Sequence, residues 1–330
     1  MREFPVPDLS DARILRAVAG IRPCRRGGLR LESERVGGKT IVHNYGHGGC
    51  GVTLALGCAE SAADRVRGDV GPDAPVAVLG AGVVGLSTAA ELSARGHDVT
   101  VYASAAGLAT TSAIAGAIWL PTGLDFPGPG SERGRLNALL RRSDELLRAL
   151  DAERWGVESL PVFEPAHAPC EPHLFESGAV GPPRAIDAMP VGADRGPGKT
   201  FEALFMHTPR FVGALGDALR SRCVPIEERV FRSLDDVASL AQPAVVNCLA
   251  LGSRDLFGDD AMYPARGVLV HLEPQDLGYI VHDGYRYMFP REDALILGGT
   301  FEPDVADSAV PERTVREILA HHRAFFGCDG

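Results

Sequence analysis

Val76-Ala-Val-Leu-Gly80-Ala-Gly82-Val-Val-Gly85 opens a stretch that continues through a helix-like segment to Val99-Thr-Val-Tyr-Ala103. This order predicts a buried strand, a Gly-x-Gly-x-x-Gly turn, an amphipathic helix and a second strand. Gly80 permits the tight turn, Gly82 lets a pyrophosphate approach, and Gly85 lets helix and strand pack closely. The stretch therefore predicts the first βαβ unit of a dinucleotide-binding fold, with the nucleotide contacted by Gly80, Ala81, Gly82, Val83, Val84 and Gly85.

A second glycine-rich junction precedes this unit. Residues 40–43 read as a strand, residues 44–51 as Asn-Tyr-Gly-His-Gly-Gly-Cys-Gly, and residues 52–66 as a helix. Backbone N–H groups and a helix dipole could meet an anion here, although a tight turn explains the glycines equally well. Residues 67–75, rich in Gly and Pro, form the clearest linker in the chain.

The remaining sequence indicates helices, a Pro-rich and Gly-rich stretch, and then a series of strands. Antiparallel strands are expected near the C-terminal end. Together with the βαβ unit, this predicts an α/β fold, and the chain is long enough for two domains. The predicted helices are 8–19, 132–150, 211–222, 233–240 and 312–326; the irregular stretch is 161–198; the strands are 244–248, 268–272, 285–289 and 295–297.

Composition and charge limit the class of partner. The chain has 330 residues, 45% of them hydrophobic, and a net charge of −10. Nucleic acid and anionic membranes favour a basic face, so neither is expected as a partner. No basic-plus-apolar leader opens the sequence and no run of about 18 apolar residues follows, so we expect a cytoplasmic, soluble protein. The scattered cysteines and histidines predict neither a disulfide framework nor a metal site.

Several segments together resemble the D-amino-acid oxidase family of FAD enzymes. The most specific is His43-Asn-Tyr-Gly-His-Gly-Gly49; the others are Ile21-Arg-Pro23 leading to Arg30-Leu-Glu32, Tyr287-x-x-Pro290 leading to Leu297-Gly-Gly299, Asn247-Cys248, and the 80–85 fingerprint. The resemblance spans nearly the whole chain. It implies a Rossmann-type FAD-binding domain and a substrate domain built on a mostly antiparallel sheet.

The resemblance also implies a reaction. The chain would oxidise a D-amino acid by hydride transfer from Cα to flavin N5, and water would hydrolyse the imino acid to a 2-oxo acid and ammonia. Dioxygen would reoxidise the flavin and give hydrogen peroxide. Arg22 and Tyr287 would bind the substrate carboxylate and the Gly49 carbonyl would accept from the amine, with no general base required if the amine arrives neutral.

Further FAD contacts follow from the same resemblance. The positions that match the family's flavin, pyrophosphate and adenine neighbours are Gly48, Gly49, Gly51, Val52, Thr53, Ser104, Thr110, Thr111, Ser112, Ile118, Leu120 and Val230. Two positions depart from the family pattern. Ser104 stands where the family has Asp for the ribose, and Leu249-Ala250 stands where Thr-Gly is usual, which predicts weaker FAD binding.

The order of the segments also departs from the family. Residues 1–65 resemble the family's C-terminal part, yet they precede the Rossmann unit. We therefore expect a circular permutation in which the 67–75 linker joins the family's two ends and new termini follow the last helix. The implied domains are discontinuous: FAD-binding, 36–121 and 205–262; substrate-binding, 1–35, 122–204 and 263–330.

Other functions remain open from sequence. Asp283 stands where the family has a lid tyrosine, with Tyr285 or Tyr279 as substitutes, so a tailoring oxidase of a modified or cyclic amino acid is the main alternative. Ser104 and Leu249-Ala250 leave room for a non-catalytic FAD-binding homologue. A nicotinamide-dependent dehydrogenase is disfavoured because Ser104 replaces the acid that would select NAD, and no arginine lies between Arg95 and Arg133 to receive an NADP phosphate. The oligomeric state is open, with a homodimer among the possibilities.

Overall fold

The computed structural model describes residues 4–169 and 171–328. The strands are β1 (Ile14–Arg25), β2 (Arg30–Val36), β3 (Lys39–Tyr45), β4 (Val76–Ala81), β5 (Val99–Ala106), β6 (Val157–Pro165), β7 (Arg184–Ile186), β8 (Gly198–Met206), β9 (Ile226–Glu228), β10 (Ala244–Asn247), β11 (Met262–Leu272), β12 (Ile280–Asp283), β13 (Arg286–Pro290), β14 (Leu295–Gly298) and β15 (Glu302–Pro303). The α-helices are α1 (Gly51–Val70), α2 (Val83–Ala94), α3 (Thr111–Ile114), α4 (Ser131–Arg148), α5 (Ala152–Trp155), α6 (Thr208–Ser221), α7 (Leu234–Ala238), α8 (Gly252–Phe257) and α9 (Glu312–Phe326).

One sheet holds the predicted βαβ unit. Its strand order is β2-β3-β10-β4-β5-β9, and all neighbours are parallel except β2 with β3. If β4 is counted first and β3 last, the parallel strands lie in the order 3-2-1-4-5, which is that of a doubly wound sheet. β3 therefore occupies the position of a strand that would follow β10, although it comes about 200 residues earlier in the chain.

The second sheet has nine strands among the described residues. Its path is β1-β11-β14-β13-β12-β6-β8-β7, with β15 also paired to β11. All pairs are antiparallel except β12 with β6. The predicted mostly antiparallel sheet is thus confirmed. One face packs on α9 through an apolar cluster that includes Val281, Met288 and Ile318, and the other face lines the cavity described below.

The sheets refine the predicted domain limits. Residues 30–35, assigned from sequence to the substrate domain, belong to β2 and hydrogen-bond to β3 in the six-stranded sheet. The limits near 205 and 262 fall at the end of β8 and the start of β11, both in the nine-stranded sheet. Residues 1–3, 170 and 329–330 lie outside the described residues.

Two predictions of local structure are wrong. Residues 8–19 form a short 3-10 turn, Asp11–Arg13, and the start of β1 instead of a helix. Their Ala, Leu and Arg content favours a helix, but β1 pairs with β11 along its length and tertiary pairing overrides propensity. Residues 161–198 are not irregular throughout, because β6 runs to Pro165 and β7 lies within the stretch.

The cysteines, the possible metal ligands and the long helices of the described residues were each inspected in the structure. Cys24, Cys50, Cys58, Cys223 and Cys248 carry free thiols, while Cys170 lies outside the described residues. Within the described ranges, no cluster of three or more His, Cys, Asp or Glu side chains is arranged to hold a metal. None of the helices described is both long and apolar enough to cross a bilayer.

A buried histidine in β11 makes stability depend on pH. His271 is 1% exposed and its Nε2 has no hydrogen-bond partner among the described residues. Burial, together with the nearby Arg291 and Arg16, lowers its pKa to about 4. The unfolded chain, with a histidine pKa of about 6.5, binds the proton more readily, so stability is lost as the pH falls from about 6.5 to 4.

We expect His271→Leu to flatten this pH dependence. The variant should remove on the order of 2 kcal/mol of the acid-induced loss of stability, measured from thermal unfolding at pH 7, 6 and 5. His167→Leu is the matched control, because the His167 side chain is 77% exposed. An equal slope for wild type and His271→Leu would contradict the assignment.

Candidate active site

A cavity of about 1130 Å³ lies between the two sheets and is lined by residues of both. It exceeds the roughly 300 to 1,000 Å³ usual for a small ligand. Almost all of the residues singled out from sequence line it: Arg22, Gly48, Gly49, Gly51, Val52, Thr53, Gly80, Ala81, Gly82, Val83, Val84, Gly85, Ser104, Thr110, Thr111, Ser112, Ile118 and Tyr287. Residues far apart in the chain thus converge on one space.

Two predicted contacts do not line this cavity. Leu120 is 2% exposed and packs in the hydrophobic core beside Trp119. Val230 is 55% exposed on the surface after β9. The predicted flavin contact of Leu120 and adenine contact of Val230 therefore have no support from the cavity wall.

The fingerprint turn leaves no room for side chains. A Cβ on Gly85 would overlap the Gly80 carbonyl, and a Cβ on Gly80 would lie 2.5 Å from the Cys248 carbonyl oxygen. Gly80 has a φ of +106°, a region that favours glycine. The turn brings the N-terminus of α2 to the cavity, where the Ser112 hydroxyl accepts from the Val83 N–H at 3.0 Å.

The earlier junction, residues 46–51, reaches the same cavity. Gly48 has a φ of +55° and packs against the Gly123 carbonyl, which accepts from the Gly49 N–H at 3.1 Å. A Cβ on Gly49 would lie 2.6 Å from the Thr122 carbonyl oxygen. The 20-residue α1 begins directly afterwards. Two long helices therefore point their N-termini, and their partial positive charge, into one cavity.

A buried polar network fixes the approach to this junction. Asp259 Oδ2 accepts from Arg25 Nε at 2.8 Å and from Tyr45 Oη at 2.7 Å. Arg30 Nη1 in turn donates to Tyr45 Oη at 3.1 Å. Arg25 and Arg30 are thus structural groups, whereas Arg26 is exposed.

Arg22 projects from β1 into the substrate half of the cavity. Its Nη1 donates to the Thr300 carbonyl at 3.1 Å, and its guanidinium lies 5.5 Å from the centre of the Phe301 ring. No carboxylate of the described residues forms an ion pair with it. A cation inside a cavity without an acidic partner is the arrangement expected for an anion site.

Tyr287 lies beside Arg22. Its ring stacks on Phe289 at a centroid distance of 4.2 Å, and its backbone carbonyl lies 3.0 Å from His322 Nε2. Burial raises the pKa of Tyr287, and the adjacent Arg22 lowers it in part. The phenol therefore stays protonated at neutral pH and can donate a hydrogen bond to an anion held by Arg22.

Both side chains lie over glycines. A Cβ on Gly267 would come within 2.7 Å of the Arg22 Cζ, and one on Gly298 would overlap the Tyr287 ring. These glycines were not singled out from sequence. We refer to Gly267 and Gly298 as the glycine floor, because the absence of side chains at these two positions lets Arg22 and Tyr287 lie flat against the sheet.

The mouth of the cavity is formed by a short hairpin. Gly284 and Tyr285 make a two-residue turn between β12 and β13. Tyr285 stacks on Phe301 at 5.1 Å and lines the cavity. Tyr279, the other proposed substitute for a lid tyrosine, is fully buried, and its hydroxyl donates to the Pro5 carbonyl. Of these two residues, Tyr285 is therefore the one at the mouth.

The two departures from the family pattern, at Ser104 and at Leu249-Ala250, have different surroundings. Ser104 lies at the exposed end of β5 on the cavity wall. Ala250 also lines the cavity and has a φ of +55°, a region costing an L-residue about 1 to 2 kcal/mol. The strain at Ala250 fits a position where the resembling family has glycine.

Sequence reasoning missed several wall residues. Phe289, Phe301 and His282 line the cavity. Phe289 was detectable, because alternation along β13 places it on the same face as Tyr287. Phe301 and His282 depend on turn geometry and strand register, which no sequence pattern specified.

Comparisons with known proteins identify the family of the chain. The profile of the family described as DAO, FAD dependent oxidoreductase, matches residues 2–65 and 75–328. A D-amino-acid oxidase of Rubrobacter xylanophilus is 32% identical over 251 residues, 73% of this chain and 74% of that protein. A D-amino-acid oxidase of Streptomyces coelicolor is 28% identical over 263 residues, 76% and 77% of the two chains.

A solved structure shares the fold. Glycine oxidase from Geobacillus kaustophilus superposes with a TM-score of 0.58 and 20% sequence identity, covering 77% of this chain and 78% of that one. The family match is interrupted at residues 66–74, which comprise the C-terminal end of α1 and most of the loop that leads to β4.

Proposed function

The chain belongs to the DAO family of FAD-dependent oxidoreductases, and on that premise we propose that it oxidises the α-carbon of a D-amino acid, releasing a 2-oxo acid, ammonia and hydrogen peroxide. The observation that carries this proposal is an unpaired arginine, Arg22, beside a protonated tyrosine, Tyr287, in a cavity that also receives two helix N-termini.

The residues present fit FAD. The glycine cradle at Gly80 and Gly85 leaves backbone N–H groups accessible, and the α2 N-terminus suits a pyrophosphate. The α1 N-terminus, after Gly49, suits an anionic ring edge. When bound, FAD supplies the redox chemistry by accepting a hydride from the substrate and passing two electrons to dioxygen.

The side chains orient the substrate. Arg22 offers parallel N–H donors to the α-carboxylate, and Tyr287 donates to the same group. The Gly49 carbonyl is proposed to accept from the neutral amine. Holding the carboxylate and the amine fixes Cα in place, and such positioning lowers the barrier without a side chain acting as general base.

An anaerobic experiment tests the proposal. The purified protein should be yellow, and a mixture of D-amino acids should bleach its flavin band while the L-forms do not. Bleaching by the L-forms alone, or by glycine alone, would contradict the assignment to D-amino acids. A yellow protein that none of these bleach would favour the second candidate, an oxidase of a modified or cyclic amino acid, which the two-residue turn at Gly284 and Tyr285 supports by leaving a short lid.

We also propose that the chain is circularly permuted relative to its family. The position of β3 after β10 in the sheet order supports this, as does the break in the family match at residues 66–74. The Cys328 thiol lies 3.6 Å from the Pro7 carbonyl oxygen, so the first and last described segments are neighbours.

A reordered chain tests the permutation. We expect a variant that joins Cys328 to Phe4 through a short flexible linker, and that opens between Gly71 and Pro75, to fold and bind FAD with the wild-type spectrum. Domain ends that lie close together tolerate such reordering. A control opened inside β10 should fail to fold. A 71–75 variant that fails to fold, as the β10 control is expected to do, would contradict the proposal.

A further inference from the structure

Four ionisable side chains form a row across the nine-stranded sheet. Lys199 on β8 pairs with Glu164 on β6, and His282 on β12 pairs with Tyr287 on β13. His282 Nδ1 lies 2.8 Å from Glu164 Oε1, which joins the two pairs. We call Lys199, Glu164, His282 and Tyr287 the cross-strand row.

The row lies on the cavity face of the sheet. Side chains alternate along each strand, so residues one position away face oppositely. Phe163, Val281 and Met288 pack in the cluster on α9. Glu164, His282 and Tyr287, each adjacent to one of these, therefore face the cavity side, and His282 and Tyr287 line the cavity itself.

His282 is held rigidly but not fully satisfied. Its side chain is 8% exposed and that of Glu164 is 4% exposed. Glu164 is the hydrogen-bond partner of Nδ1, and Nε2 has no partner among the described residues. Because His282 lines the cavity, this unpartnered nitrogen is available to a ligand or a water molecule there.

Lys199 is the second polar partner of Glu164. Its Nζ lies 3.6 Å from Glu164 Oε2 and donates to the Ala168 carbonyl at 2.8 Å. Glu164 thus already has a cationic partner. In the tautomer that donates its Nδ1–H to Glu164, the imidazole of His282 carries its free lone pair on Nε2.

The charges of the cavity wall also disfavour a substrate with a second carboxylate. Of the described residues that line it, Arg22 is the only lysine or arginine, whereas Asp125, Glu171 and Asp283 are acidic. Once Arg22 binds the α-carboxylate, no cation remains on the wall for a second carboxylate. A substrate side chain that donates a hydrogen bond, by contrast, finds an acceptor in His282 Nε2 and acidic residues on the cavity wall.

We propose that His282 reads the substrate side chain and selects amino acids whose side chain carries a hydrogen-bond donor, such as a carboxamide or hydroxyl, over acidic and aliphatic ones. Glu164 and Lys199 act as positioning residues that fix the ring. Neighbouring strands are about 5 Å apart, so the donor lies a few bonds from the α-carboxylate. The inference rests on the proposed function for the placement of that carboxylate.

Three non-reacting carboxylates test this without turnover. Succinamate carries an amide, 4-methylpentanoate is its apolar near-isostere, and succinate is its acidic counterpart. Their dissociation constants are read from the flavin absorbance of the FAD-loaded protein. We expect succinamate to bind most tightly, and His282→Phe to reduce its advantage over 4-methylpentanoate by about tenfold.

Further variants separate positioning from folding. His321→Phe is the matched control, because His321 packs on His322 outside the cavity wall, and it should leave all three constants unchanged. His282→Gln, which keeps an acceptor, should retain part of the preference. Glu164→Gln should retain the preference for succinamate, and Glu164→Leu should lose it. The dissociation constant of 4-methylpentanoate should be unchanged in both variants.

The outcomes separate the two proposals. An unchanged ratio in His282→Phe, or tighter binding of succinate than of succinamate in the wild type, would overturn the role of His282. If the ratio responds as expected while no D-amino acid bleaches the flavin, the proposed reaction is wrong and the recognition site stands. Turnover of D-amino acids with an unresponsive ratio would leave the reaction and remove the role of His282.

Discussion

Arg22→Ala is expected to lower kcat/KM for the substrate amino acid by roughly 30- to 1,000-fold and to weaken simple carboxylates to a similar extent. Removing one partner of a desolvated charge pair costs about 2 to 4 kcal/mol, which corresponds to that range. FAD should remain bound, because Arg22 lies over Phe301 and Gly267 in the substrate half of the cavity. Benzoate titration of the flavin spectrum and steady-state kinetics measure the two effects.

Arg26→Ala provides the control for this variant. Arg26 follows the same strand, is exposed, and makes only a loose ion pair with Asp304 at 3.8 Å among its described contacts with acidic groups. Its replacement should leave both constants within about twofold, since exposed pairs contribute little. If Arg22→Ala bound carboxylates as tightly as the wild type, Arg22 would not be the residue that binds the substrate carboxylate.

Gly85→Ala should abolish FAD retention. The new Cβ would overlap the Gly80 carbonyl, so the turn must open and α2 must move away from β4. Backbone cannot yield as a flexible side chain can, so we expect at least a 100-fold loss of FAD affinity and a lower melting temperature. The flavin absorbance of the purified protein and the thermal unfolding midpoint, with and without added FAD, measure the two effects.

Gly213→Ala is the corresponding control. Gly213 lies in α6, and nothing lies within 4 Å of where its Cβ would be. Alanine favours a helix by about 1 kcal/mol over glycine, so this variant should be slightly more stable and fully yellow. A yellow Gly85→Ala protein with the wild-type midpoint would show that the turn tolerates a side chain.

The sequence specified the parts of the molecule whose signals are local. The strand, glycine turn and helix at 76–94 have strong periodicity and fixed glycine spacing, and α9 begins and ends where its pattern predicts. Arg22 and Tyr287 were located through a resemblance, and the structure brings them together although they are 265 positions apart in number. Local secondary-structure propensity alone gives no information on whether two such distant residues lie side by side in the fold.

Features that depend on pairing between distant strands were not predictable. Residues 14–19 have helical composition, yet they pair with β11. The glycine floor depends on strand register, which places Gly298 opposite Tyr287 and Gly267 two residues beyond the residue opposite Arg22. The position of His282 depends on the length of the hairpin turn. A one-residue change of register would turn each of these side chains to the opposite face.

The early position of β1 and β3 in the chain has a consequence for biosynthesis. β3 pairs with β10 about 200 residues later, and β1, which carries Arg22, pairs with β11. At about 5 to 20 residues per second, a ribosome needs roughly 10 to 40 s to supply those partners. During that interval β3 can pair only with β2, and β1 lacks the strand with which it pairs in the folded protein, so unpaired strand edges of the nascent chain are open to wrong pairing.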